Sequence, residues 1–320
     1  MNQLTRSLVS LAFCTVVIAV APTVVGFEGE GDAAPASCVH EAAYEPFAGL
    51  IIVSVTVAGS PPLDFVVDSG ATSISITDPL LAWALGLEVR EAGIARGVGS
   101  GAKRVVVAED TFVRIDGIEV LRTPLVVHDI GARLAETAGR EIHGFLGAGL
   151  FEQYVVEIDP VGRRLRLHNP DTFVYRGLGY QSPLEIVDRR PVVHVTVIVK
   201  EGGKEVPVRL VVDTGSGSIL ALITKSRRHL KPPAEQRVGA SIGMVGDSTV
   251  VVALTQQLQL GAIVARRVET TWMEAFGIPA VRNIENLNGI LGNRMLSGFR
   301  VFYDYRGGRL ILEPVDRSAR

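Results

Sequence analysis

Along this chain, apolar residues fall into short runs that alternate with polar positions at a period of two. Leu50–Val57 and Val192–Val199 are the clearest, and both predict strands with one face turned to a core. Each leads through a turn containing Gly and Pro, "AGSPP" in one case and "KEGGKEVP" in the other, into a second apolar run. That second run stops at an aspartate, so each pair predicts a β-hairpin ending in Asp. The Val-rich stretches "KRVVVAEDTFVRI" and "STVVVALTQQLQL" predict further hairpin strands, and the last strand pairs are split at Gly162 and at Gly307-Gly308. Beyond each aspartate a short helix is expected. Asp78 and Pro79 offer a cap and a first position for one, and Thr224 offers a cap for the other. The basic run "KSRRHLK" (Lys225 to Lys231) reads as a solvated helix face.

The predicted elements repeat. "LDFVVDSGATSI" begins at Leu63 and "VRLVVDTGSGSI" at Val208, which sets the second aspartate 145 positions after the first (213 − 68). At the same offset Gly144, Leu146 and Gly147 fall on Gly289, Leu291 and Gly292. Further on, Asp159, Gly162, Arg164 and Leu165 fall on Asp304, Gly307, Arg309 and Leu310. A solenoid repeats every roughly 20–50 residues, so this period is that of a domain. The chain is therefore an internal duplication, with one lobe expected over residues 37–175 and the other over 176–320. A boundary at Tyr175 to Tyr180 fits both.

Composition sharpens this to an all-β protein. Of 320 residues, 47% are hydrophobic, enough for a sizeable core, while 34 glycines and only 6% aromatics suit many tight turns between Val- and Ile-rich strands. Lys+Arg total 32 against 34 Asp+Glu, without a long basic block, so no nucleic-acid partner is expected. Residues 1–36 stand apart. No charge occurs between Arg6 and Glu28, and this stretch reads as a secretory signal cut after Gly26 or Ala36, or as a membrane anchor through residues 8–25. Either reading puts the lobes outside the cytoplasm, secreted, periplasmic or anchored. Cys14 and Cys38 form no disulfide framework. The six histidines, His40, His128, His143, His168, His194 and His229, lack metal spacing and read as surface or strand filler. Neither a metal nor a cofactor is expected.

The chemistry lies in the two Asp-Ser/Thr-Gly triplets. One such triplet is most simply a turn. Two, in register with a second shared motif, point to paired carboxylates. Carboxylates about 3 Å apart cannot both ionise at neutral pH, so one serves as base and the other as acid toward a water between them. The glycines let each turn offer an amide to its carboxylate, and the hydroxyls of Ser69 and Thr214 can bond to the backbone of the opposite turn. No Gly-x-Ser-x-Gly elbow surrounds Ser216 or Ser218, which argues against a serine hydrolase.

On these motifs the sequence resembles the aspartic peptidases of the pepsin and retropepsin type, and most closely a fused pair of retropepsin-like lobes. The resemblance spans about residues 46–315, and its Phe145-Leu146-Gly147 and Ile290-Leu291-Gly292 elements match those that pack under the family's catalytic loops. It implies a bilobal double β-barrel with pseudo-twofold symmetry and a cleft between the lobes. It also implies an endopeptidase acting on extended polypeptide, with Asp68 and Asp213 as the dyad and Ser69, Gly70, Thr214 and Gly215 supporting it. A monomer is expected, because one chain carries both lobes. The flap tyrosine of pepsins is absent from the matching window (Ala95 to Ala108). Gly97, Gly99 and Gly101 there suggest a hairpin tip of retroviral type instead. The alternative is a peptide- or glycan-binding protein on the same fold that does not cut. Retention of both aspartates with both hydroxyl partners favours the enzyme.

Overall fold

The computed structural model describes residues 17–20, 38–96, 102–242, 247–274 and 284–315. Its fold is all-β and bilobal, with two closed six-stranded barrels among the described residues. In the first barrel Leu50–Val57 pairs with Leu63–Val67, which runs parallel to Gly144–Leu146. Ser75–Ile76, Ile118–Val127 and Ala102–Ile115 follow, and the ring closes where Val55–Val57 meets Val113–Ile115. The second barrel uses Arg190–Ile198, Glu205–Asp213, Leu287–Gly292, Leu220–Ile223, Ile263–Met273 and Asp247–Leu260 in the same order. It closes by pairing Thr196–Ile198 with Gln257–Gln259. Closure pairs each barrel strand on both sides, and the Val and Ile of the inner faces fill the barrels.

Beneath the barrels both halves contribute to one antiparallel sheet. Its order is Tyr180–Pro183, Arg309–Pro314, Phe299–Asp304, Val155–Asp159, Arg164–His168 and Cys38–Ala43. The halves meet at its centre, where Val156 pairs with Tyr303 and Ile158 with Val301. Charged side chains line part of this sheet. Buried Glu157 accepts from Arg166 Nη1 at 2.7 Å and from His168 Nε2 at 2.8 Å, and Arg300 of the second half donates to Asp159 at 3.3 Å. These partners hold the Glu157 carboxyl below the usual range despite its burial. His168 is wholly buried and His40 nearly so, and both sit on strands, as strand filler. Glu157 supplies the partner that a buried imidazole such as His168 needs. Asp159 and Asp304 shape their turns as expected, accepting from the Gly162 and Gly307 amides at 3.1 and 2.7 Å.

The helix after the first aspartate is present over Pro79–Ala84, with Asp78 accepting from the Leu80 amide at 2.8 Å as its N-cap. The expected second helix is not. Leu220–Ile223 runs into turns through Leu230, so Lys225–Lys231 is a folded-back loop rather than a helix face. Lys225 and His229 take φ of 65° and 70°, in the left-handed region, and the Lys225 amide closes the loop onto the Leu230 carbonyl. Pro232 and Pro233 then prevent any helical restart.

Gly97, Gly99 and Gly101 lie outside the described residues. Their flanks do not: Val89–Arg96 pairs antiparallel with Ala102–Ile115 up to Arg96 opposite Ala102. Of the apolar N-terminal segment, Val17–Val20 is described, as a strand antiparallel to Ile263–Arg266. Among the described residues no helix is long and apolar enough to cross a membrane.

Candidate active site

Each aspartate stands at the end of a buried strand. Asp68 follows Leu63–Val67, and Asp213 ends Glu205–Asp213. Each is pinned by the second motif running parallel beside it. The Asp68 amide donates to the Leu146 carbonyl at 3.0 Å, and Asp213 is in register with Gly292. The motif needs its glycines because the post-aspartate loop crosses directly over them. A Cβ on Gly147 would lie 2.3 Å from the Ser73 carbonyl oxygen, and one on Gly292 would lie 2.3 Å from that of Ser218.

The loops are tied to each other across the lobes. Ser69 Oγ donates to the Val212 carbonyl at 2.8 Å and accepts from the Thr214 amide at 3.0 Å. Thr214 Oγ1 donates to the Val67 carbonyl at 2.6 Å and accepts from the Ser69 amide at 2.9 Å. Both hydroxyl residues are fully buried, so the four bonds form in a medium where each is strong and none is exchangeable with water. The result is a closed two-fold clasp with one strand end from each lobe.

That clasp brings the carboxyls together. A Cβ on Gly70 would lie 2.5 Å from Asp213 Cγ, and one on Gly215 would lie 2.3 Å from Asp68 Cγ, so each loop's glycine faces the opposite loop's carboxyl. The two carboxyls are close enough for each to shift the other's ionisation. Asp68 Oδ1 accepts from the Gly70 and Ala71 amides at 2.9 and 3.0 Å, and Asp213 Oδ1 accepts from the Gly215 amide at 2.9 Å. Burial pushes both carboxyls up from the ordinary range. For Asp213 the charge of Asp68 adds to burial and carries it well above. For Asp68 the Asp213 side chain, the two amides and the Arg190 cation work against burial. Such a pair holds one proton between two carboxyls and can take a proton from one atom while giving one to another.

Two further residues brace the site without belonging to either triplet motif. Arg190 is buried and donates from Nε to the Gly70 carbonyl at 2.8 Å. Its neighbour Arg189 reaches the Thr72 carbonyl at 2.7 Å and Glu152 at 2.6 Å. Both come from the tip of a second-lobe hairpin, where Asp188 and Arg189 take φ of 48° and 62°. In return, the first lobe's hairpin tip places the Gly49 carbonyl 2.8 Å from Asn293 Nδ2 of the second. The signal was "VDRRPVV": two arginines at a turn between predicted strands, a place where charge is otherwise left to solvent.

Residues 53–150 match the family model described as "Aspartyl protease". The match takes in Asp68, Ser69, Gly70 and the Phe145-Leu146-Gly147 element, and it ends before the second lobe. A search of curated proteins found no match.

Proposed function

We propose that this chain, whose residues 53–150 match the aspartyl protease family model, is an aspartic endopeptidase in which Asp68 and Asp213 act as one dyad. The observation that carries this reading is the closed Ser69–Thr214 clasp, which aims one carboxyl from each lobe at the same point. The ionised member takes a proton from a water held between them as that water attacks the peptide carbonyl. The protonated member donates to the developing oxyanion, and the proton on the dyad then passes to the leaving amine. The substrate is an extended polypeptide lying in the cleft between the barrels. One chain supplies both carboxyls, so a monomer suffices, and the apolar segment at 8–25, as a secretory signal or an anchor, supports lobes outside the cytoplasm.

The test is cleavage of a degenerate peptide library by the chain from Ser37 onward, scanned from about pH 3 to about pH 8. Asp68→Asn and Asp213→Asn run beside the wild type. Cleavage by wild type alone supports the dyad. A folded wild type that binds library peptides but cuts none at any pH points to a binding protein.

A further inference from the structure

The two loops that meet at the dyad are not equivalent. Asp68 Oδ1 accepts from two amides, Gly70 and Ala71, the latter shared with the Asp68 carbonyl at 3.2 Å. At the other loop the corresponding Ser216 amide turns to the Asp213 main-chain carbonyl at 3.3 Å, and Asp213 Oδ1 accepts from Gly215. Arg190 stands behind the first loop. Its Nε–H donates to the carbonyl of the Gly70–Ala71 peptide, the same peptide whose N–H donates to Asp68. A cation on the oxygen of a peptide polarises it and strengthens the hydrogen bond that its N–H makes. The equivalent position in the first-lobe hairpin, directly after the Ala48–Gly49 tip, is Leu50. Among the described residues, no cation therefore backs Asp213 in the same way.

We infer that Arg190 is a positioning residue: through the Gly70–Ala71 peptide it makes Asp68, and not Asp213, the carboxylate of the resting dyad. This rests on the dyad reading above and adds which member is the base. The surrounding charges agree. Arg190 is itself fixed by Asp188, whose carboxylate lies 2.6 Å from Nη1 on the solvent side. Arg189 braces the Thr72 carbonyl and pairs with Glu152, and makes no contact with the Gly70–Ala71 peptide. The buried Tyr303 and Tyr305 hydroxyls, close enough to the aspartates to feel their charge, stay neutral, since burial pushes their ionisation far up. Arg190 is thus the cation acting on both aspartates among the described residues, and its contact falls on Asp68's loop.

The test is a titration of the intact chain carrying carboxyl-labelled aspartate, followed by carbon NMR. Asp68→Asn and Asp213→Asn assign the two signals in wild type, Arg190→Met and Arg190→Lys. Asp68 is expected to ionise first in wild type, and Arg190→Met should move that step upward by about one pH unit. Arg190→Lys keeps the charge without the planar fork and should move it less, while confirming that the site still folds. The acid limb of peptide cleavage should shift with the Asp68 step. If Asp213 ionises first, or if folded Arg190→Met leaves the Asp68 step where it was, Arg190 only braces the hairpin and the inference fails. A wild type that cuts no peptide would sink the peptidase reading instead, and the titration would still decide the role of Arg190.

Discussion

The loops at Asp68 and Asp213 share a phrase, a strand mounting and a clasp, yet their surroundings have diverged. The first loop leads into a capped helix at Pro79–Ala84 and is backed by the buried Arg190. The second leads into a loop folded on itself at Lys225–Leu230, and the position answering to Arg190 is Leu50. A dimer of identical chains must give both loops the same environment, since its interface is isologous. Fusing the copies removes that constraint. What stayed common is what both carboxyls need, and what diverged is what distinguishes one carboxyl from the other.

The comparison breaks most sharply at the facing glycines. Gly70→Ala and Gly215→Ala would each drive a methyl into steric overlap with the opposite carboxyl. Each should lower kcat/KM by about 100-fold or more, because a misplacement of about 1 Å at reacting groups costs that much. Equal losses would show that the loops are interchangeable sterically, and a much smaller loss in one would show that its carboxyl has room to move.

The clasp comes next. Ser69→Ala strands the Thr214 amide and the Val212 carbonyl, and Thr214→Val strands the Ser69 amide and the Val67 carbonyl. A buried unsatisfied group costs about 1–3 kcal/mol, so denaturant melts should show losses of that size for each. The double variant should lose less than the sum, because the four bonds form one ring.

A third contrast concerns pH. Asp213 keeps its proton to higher pH in the folded chain than in the unfolded chain. Raising pH through that interval therefore strips protons preferentially from the unfolded state, and stability falls. Asp213→Asn removes the penalty. Its melting temperature should exceed that of wild type at about pH 7–8 and converge with it near pH 3, where the carboxyl is protonated in both states. Asp68→Asn should show the same sign with a smaller gain, since its amides and Arg190 offset its burial.

The smallest effects separate the segments after the loops. Asp78→Ala deletes a helix cap and should cost about 0.5–1 kcal/mol. Thr224→Ala caps nothing and should stay within about 0.5 kcal/mol of wild type.

The strands were legible because the barrels are built from local hairpins with period-two alternation. Asp78-Pro79 was legible because its cap is local chemistry. Thr224 failed as a cap because its segment obeys Lys225 and His229, whose positive φ values come from closing the loop on Leu230. The central sheet was hidden, since its middle pairing joins Val155–Asp159 to Phe299–Asp304 across the whole second barrel. The buried ion pairs of Glu157 with Arg166 and His168 were not legible, because period-two alternation does not mark charged residues that face into a sheet. Arg190 escaped notice because the hairpins align at an offset of 140 (190 − 50), while the triplets align at 145, so the motif register does not set it against Leu50.

The central claim is that Asp68 and Asp213 work as a unit. The most direct measurement is kcat/KM for peptide cleavage by Asp68→Asn, Asp213→Asn and the double variant, each shown to be folded. If the carboxyls share one proton, each single change should remove about as much activity as both together, on the order of 1,000-fold or more. A single variant that keeps substantial activity, or a double variant whose loss is the product of the two, would contradict a shared dyad.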